Sequence, residues 1–270
     1  MESDVHIGIS GWSYDEWKNG FYKNVPRSRW LEHYADHFKA LELNATFYRL
    51  QSEGTLKSWA NRTPEDFIFC AKGHRYVTHS TKLVDAAETV PRTRDNLVPL
   101  GDKLRVVLWQ LPPTFEKDLK RLEEFAAVLH NQWQSVRHTI EFRHPTWMDE
   151  EVADLLENYD LVACQADAPD FKLWDVVTTD IVYVRLHGHT RKYASHYSTE
   201  SLDRWAGKIN RWSKNLETYI FFDNTAEGSA PYDARKLADR LEQLRSSDEQ
   251  EVDESLRGNG RFRDEEPPKR

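Results

Sequence analysis

Three short apolar runs in this chain end in ionisable side chains at alternate positions. In Ile140-Glu141-Phe142-Arg143-His144-Pro145, the period of two of an extended strand puts Glu141 and Arg143 on one face and Ile140 and Phe142 on the other. Pro145 ends that strand directly after His144. Leu41-Glu42-Leu43-Asn44 repeats the arrangement with Glu42 and Asn44, and Tyr183-Val184-Arg185-Leu186-His187-Gly188 repeats it with Tyr183, Arg185 and His187. Three further runs finish on Lys72, on Gln110 and on Asp223 with Asn224. Strand C-termini are where α/β sheets place their chemistry. A structural ion pair at a sheet end would give the same pattern.

Glu42 and Glu141 are the catalytic carboxylate candidates, because two carboxylates in unlike surroundings can divide the acid and base roles. Glu141 is taken as the general acid/base. Lys72, also placed among the catalytic candidates, suits an electrostatic clamp or, if desolvated, a Schiff-base amine, with an ion pair to a nearby Glu as its commonest role. Arg143 and Arg185 would hold negative charge. Asn44, Gln110, Asp223 and Asn224 would orient a ligand. Trp12 and Trp147 would line the wall, with Tyr48, His144 and His187 beside them. His144 and His187 could join Glu141 and Asp223 around a divalent metal, but no compact metal motif accompanies them, so metal is the lesser reading and the cofactor stays undetermined. Ser10 has no nucleophile elbow, and neither a Walker motif nor a dinucleotide fingerprint occurs.

These groups need a scaffold that brings strand ends together. Strand patterns fall at Val5–Ser10, Ala40–Asn44, Phe67–Lys72, Leu104–Gln110, His138–Arg143, Leu161–Ala166, Ile181–His187 and Glu217–Asp223. Between them lie helical patterns at Arg29–Phe38, Thr55–Asn61, Thr93–Leu100, Lys117–His130, Asp149–Asn158, Thr199–Lys214 and Ala230–Leu244. Alternation of this kind implies parallel strands and right-handed crossovers, and eight strands in about 245 residues fit a single closed (β/α)8 TIM-like barrel. A doubly wound open sheet is the alternative. The Asp167–Asp180 crossover carries little helical pattern and is expected to be irregular.

Composition sets the surroundings. The net charge is -8, so duplex nucleic acid is not the expected partner. A local group of Arg185, His187, His189, Arg191 and Lys192 could still hold one phosphate or carboxylate, or could be a solvated loop. Cys70 and Cys164 both fall in strand patterns and read as small core residues of a reducing compartment. No apolar stretch approaches the roughly 20 residues of a membrane span, and Met1-Glu2-Ser3-Asp4 does not resemble a signal peptide. A cytoplasmic protein without a membrane partner is expected. Ten tryptophans are present, and Trp12, Trp109, Trp147 and Trp174 follow or end strands, which suggests an aromatic rim. Residues 1–245 read as one domain and 246–270 as a disordered acidic tail with few apolar side chains.

The ordered segments GISGWSY at 8–14, FYKNVP at 21–26, ELNATFY at 42–48, FCAKGH at 69–74, WQLPP at 109–113, EFRHPTW at 141–147, RLHG at 185–188 and FFDNTAEGSAPYDARKL at 221–237 resemble the YecE-like family, a domain of unknown function. The resemblance implies a barrel similar to the TIM barrel and names no reaction. Asp223-Asn224 departs from the asparagine pair frequent in that family. The combined reading is a barrel enzyme acting by acid/base chemistry on a small polar or anionic metabolite, such as a sugar, phosphate or nucleobase-like compound. The competing reading is a binding module that uses the same pocket without turnover.

Overall fold

Nine parallel strands form the wall: β1 Val5–Ser10, β2 Ala40–Leu43, β3 Ile68–Lys72, β4 Leu104–Gln110, β5 Arg137–Glu141, β6 Val162–Ala163, β7 Gln165–Asp167, β8 Ile181–Leu186 and β9 Glu217–Phe222. The computed structural model describes residues 3–258. Their order is β6-β5-β4-β3-β2-β1-β9-β8-β7. The two ends of that order are consecutive in the chain. β6 pairs with β5 and β7 pairs with β8, so one stave, interrupted at Cys164, joins both edges and completes an eight-stave barrel. The sequence reading treated that stave as one strand.

Helices cover the outside: α1 Trp30–Ala35, α2 Ala45–Tyr48, α3 Glu53–Asn61, α4 Ala86–Leu97, α5 Leu119–Gln132, α6 Glu150–Asn158, α7 Thr199–Trp212 and α8 Ala230–Gly258. Side-chain caps start four of them. Ser52, Asp118, Asp149 and Ser198 accept hydrogen bonds from Thr55, Arg121, Val152 and Ser201, which satisfies amides that a helix start leaves unpaired. The helix read from Thr93 begins at Ala86 and carries Pro91 inside it. α8 continues to Gly258, past the point where a disordered tail was expected to begin, while residues 259–270 of that expected tail lie outside the described residues. No helix of the described residues is long and apolar enough to cross a membrane.

Alternation along the strands sorts side chains into two cores. Leu41, Leu43, Phe69, Val107, Trp109, Ile140, Val184, Ile220 and Phe222 face the helices. Ala40, Cys70, Val106, Leu108, Tyr183, Tyr219 and Phe221 fill the barrel. Gly8 belongs to the inner layer because a Cβ there would meet the Ala40 carbonyl oxygen at 2.2 Å and the Phe221 ring at 2.9 Å. Above this apolar layer, at the strands' C-terminal ends, the inward positions turn charged.

Candidate functional site

Register decides which polar side chains meet. Ser10 on β1 is the Cα partner of Glu42 on β2, and Gln110 on β4 is the partner of Glu141 on β5. Glu42, Glu141, Arg185 and His187 are each at most 1% exposed. Buried charges of this kind persist only when paired and hydrogen-bonded.

Arg185 is the hub. Its Nε and Nη2 donate to Glu42, with Nη2 2.7 Å from Oε1. Its Nη1 donates to Glu141 Oε2 at 2.7 Å, and Nη2 lies 3.1 Å from Asp223 Oδ2. Glu42 also accepts from the Ser10 hydroxyl at 2.6 Å and the Tyr183 hydroxyl at 2.7 Å. Burial opposes the charge on Arg185, but Glu42, Glu141 and Asp223 together push its pKa well above the ordinary guanidinium value.

Glu141 is held from both sides. Its Oε1 meets the Arg143 guanidinium and lies 3.2 Å from His187 Nε2. Burial would raise its pKa, yet Arg143, Arg185 and His187 outweigh that and hold it well below the carboxylate range. Asp223 is the partly open carboxylate, with its side chain 13% exposed. Burial raises its pKa and Arg185 and His187 lower it, with a net downward result. His187 Nδ1 is 2.9 Å from Asp223 Oδ2, without hydrogen-bond alignment.

Lys72 differs from the arginines. It ends β3, is partly exposed, and sets its Nζ over the Phe47 ring at 4.2 Å. Among the described residues no hydrogen bond or ion pair reaches that Nζ. Burial, then the positive Arg185, lowers its pKa to about 8, although Glu141, Asp223 and Glu42 act in the opposite direction. Four groups that the sequence reading missed border the charged cluster. His79, edge-on to Phe47 at 5.0 Å, has its pKa lowered to about 4 by burial, Lys72, Arg75 and Arg143. Tyr14 is pushed up to about 12 by burial and Asp223. Phe171 lies under the Arg143 guanidinium at 4.7 Å, and Tyr193 sets its edge against His187 at 5.5 Å. Tyr14, Phe171 and Tyr193 lie outside the helices and strands, and His79 sits in a one-turn π-helix, Tyr76–Ser80, so neither strand nor α-helix period points to any of them.

Several expected ligand contacts are elsewhere. Trp147 is fully buried, packed against Phe142 and Phe115 and donating its indole N–H to the Phe115 carbonyl, so it is core and not wall. Trp109 is likewise buried, against Phe125, Trp133 and His138. Of the expected aromatic rim, Trp12 and Trp174 are partly exposed. His144 accepts locally from the Thr146 amide and hydrogen-bonds the Thr146 hydroxyl instead of joining the charged cluster. Among the described residues no group of three or more His, Cys, Asp or Glu is arranged to hold a metal ion. Asn224 uses its Nδ2 on Asp233 and on the Ser195 carbonyl, anchoring a loop rather than facing the cluster. Tyr48 is 68% exposed at the rim. Gln110, half-buried, donates to the Leu111 carbonyl, and Asn44 keeps a buried Oδ1 without a hydrogen-bond partner. The basic group splits, with Arg185 and His187 inside while Arg191 and Lys192 pair with Glu227 and Asp170 at the surface.

The β8–α7 loop roofs part of this face. Gly188 adopts φ +115°, and a Cβ there would meet the Arg191 carbonyl oxygen at 2.4 Å. Asp233, fully buried at the start of α8, accepts from the Tyr197 amide, and the Tyr197 hydroxyl accepts from the Gly188 amide. A cavity of about 590 Å³ lined by Arg94, Asp102, Arg105, Trp133 and Arg137 lies at the opposite, N-terminal end of the strands. The strand-end chemistry is not there.

A family model described as Protein of unknown function DUF72 matches residues 6–255. The chain belongs to this family. It is similar to the UPF0759 protein YunF of Bacillus subtilis (strain 168), with 22% identity covering 88% of this chain and 95% of the relative. It is also similar to the UPF0759 protein YecE of Escherichia coli (strain K12), with 29% identity over 142 residues covering 52% of this chain and 49% of the relative. A crystal structure of a DUF72 family protein from Thermotoga maritima MSB8 superposes with a TM-score of 0.80 at 29% identity, covering 88% of this chain and 99% of that one. A second, from Enterococcus faecalis V583, gives 0.77 at 18% identity, covering 88% and 95%, and supports the fold alone.

Proposed function

We propose that this DUF72 barrel is an enzyme that binds a small polar or anionic metabolite at the C-terminal face and acts by acid/base chemistry through Lys72. The observation that carries this reading is Lys72, a partly exposed residue beside a charged cluster, whose ε-amine is free of hydrogen bonds and ion pairs among the described residues and is shifted to about 8 by burial. A proton donor or acceptor works best with a pKa near the working pH. Glu141, the first choice from sequence, has no exposed surface and is saturated by cations, so it serves as a positioning residue for Arg143 and Arg185. Glu42, equally buried, is held by Arg185 and by the Ser10 and Tyr183 hydroxyls. The negative part of the metabolite would meet Lys72 and Arg143, whose Nε is buried without a hydrogen-bond partner. Asn44, Gln110 and Trp12 would orient the remainder, and Asp223 is the carboxylate with exposed surface.

A second reading, a barrel that binds the same ligand without turnover, draws on the saturation of both buried glutamates. A thermal-shift screen of small phosphates, carboxylates and sugar phosphates against the wild type and Lys72→Met tests the site. Stabilisation of the wild type that is lost in the variant is expected. Equal stabilisation of both proteins, or none across the panel, would contradict the assignment. Conversion of the stabilising compound then separates enzyme from binder.

A further inference from the structure

We propose that Lys72 is a carbonyl-capturing nucleophile, and that the metabolite is a small aldehyde or ketone carrying a carboxylate or phosphate. The inference rests on the reading of the C-terminal face as a ligand site and names its substrate class. An ε-amine reacts with a carbonyl only if its lone pair is free and its nitrogen is accessible. A lysine whose ammonium is claimed by a carboxylate fails the first condition. Here Glu42 is held by Arg185, Glu141 by Arg185 and Arg143, and Asp223 by Arg185, so each nearby carboxylate already has a cationic partner. Lys72 is left against the apolar face of Phe47, and its lowered pKa leaves free amine present near neutrality.

The step balances without an oxidant or reductant. The Nζ lone pair forms a bond to the carbonyl carbon while the C=O π pair moves to oxygen. That oxygen gains the proton the nitrogen loses, giving a carbinolamine. A second proton, from solvent, goes to the hydroxyl, the C–O bond breaks, water leaves, and the nitrogen lone pair completes a C=N iminium. Its positive charge stands where the ammonium stood, in the field of Glu141, Asp223 and Glu42. An anionic group on the substrate has Arg143 to meet, with its unpartnered buried Nε and its guanidinium face over Phe171.

Reductive trapping tests this on the full chain. Protein is incubated near pH 7 with glyoxylate, an anionic aldehyde, and sodium cyanoborohydride, and the modified lysines are mapped by peptide mass spectrometry. Lys120, with 86% side-chain exposure, is the internal reference. Lys72 is expected to be alkylated about tenfold faster than Lys120 or more, as befits an amine of lower pKa. Propanal, neutral and of similar reach, is expected to show a smaller preference for Lys72. Modification of Lys72 no faster than Lys120, or an equal preference with propanal, overturns the proposal. If trapping fails while glyoxylate or inorganic phosphate still raises the melting temperature of the wild type and not of Lys72→Met, the ligand site stands and carbonyl capture alone is lost.

Discussion

Arg185 on β8 and Glu141 at the end of β5 meet at 2.7 Å with at most 1% of either side chain exposed, so the polar roof of the barrel interior is a closed ion-pair frame. Arg185 continues to Glu42 on β2 and Asp223 after β9, and one guanidinium thereby ties four strands together. A frame of this kind costs desolvation energy to build and is damaging to break.

Replacing Glu141 by Gln is therefore expected to act on stability first. It leaves Arg143 and Arg185 without their shared carboxylate, an uncompensated loss of about 3–5 kcal/mol. For a chain of this size, a melting temperature lower by roughly ten degrees is the corresponding shift in calorimetry. An unchanged melt would mean that the Glu141 side chain is solvated.

Histidine burial gives the fold an acid limb. His138 places Nε2 2.7 Å from the Trp133 carbonyl and accepts the Trp109 indole N–H at Nδ1, so the neutral ring fits both partners. Burial, opposed by the Trp133 carbonyl, lowers its pKa from 6.5 to about 4. Between those values the unfolded chain binds a proton that the folded chain refuses, so the contribution is whole above pH 6.5 and is lost as pH falls to 4. Its size is roughly 3 kcal/mol. Urea unfolding across this range is expected to show a shallower pH slope for His138→Gln than for the wild type, whatever the offset between them. Identical slopes would remove His138 from the acid limb.

Lys72 has the opposite consequence for stability. Its ammonium is disfavoured in the folded state, so below about pH 8 the folded protein bears a penalty that the unfolded chain escapes. The penalty fades between 8 and 10.5, where the folded amine has lost its proton and the unfolded one has not yet done so. Lys72→Met is expected to melt a few degrees higher at pH 7, with the gain shrinking toward pH 10.5. A lower melting temperature at pH 7 would show that the amine has a stabilising partner.

Asn224 is expected to control the roof and not the ligand. Removing its amide in Asn224→Ala frees the Ser195 carbonyl and one contact to Asp233, so amides of residues 188–197 should exchange faster with deuterium while β5 and β8 keep their protection. Unchanged exchange in that loop would contradict the anchoring role.

Strand alternation made most of the inner polar layer legible, because a period of two needs no knowledge of neighbours to put Glu42, Glu141, Arg143, Arg185 and His187 inward. Exposure was not legible. The same alternation is produced by a wet pocket and by a dry ion-pair frame, and only the positions of Arg185 and Arg143 separate them. Trp147 and Asn224 follow strand ends in sequence, but the turns after β5 and β9 carry them into the outer core and toward α8. His79 was hidden in a single π-helical turn, Tyr76–Ser80, whose five-residue hydrogen-bond spacing matches neither the strand nor the α-helix period. Pro91 stands inside α4, so the ordinary rule that proline ends helices points away from the observed start at Ala86.

The most direct measurement is the titration of the Lys72 side chain itself. Proteins carrying lysine labelled with 13C and 15N, compared with Lys72→Arg to assign the resonance, would report its protonation from pH 6 to 11 by NMR. A midpoint near 8 is expected for an amine held by burial and Arg185 above an already paired set of carboxylates. A midpoint at or above the ordinary lysine value of about 10.4 would contradict the central claim, because it would mean that Glu42, Glu141 or Asp223 holds the ammonium as a structural ion pair.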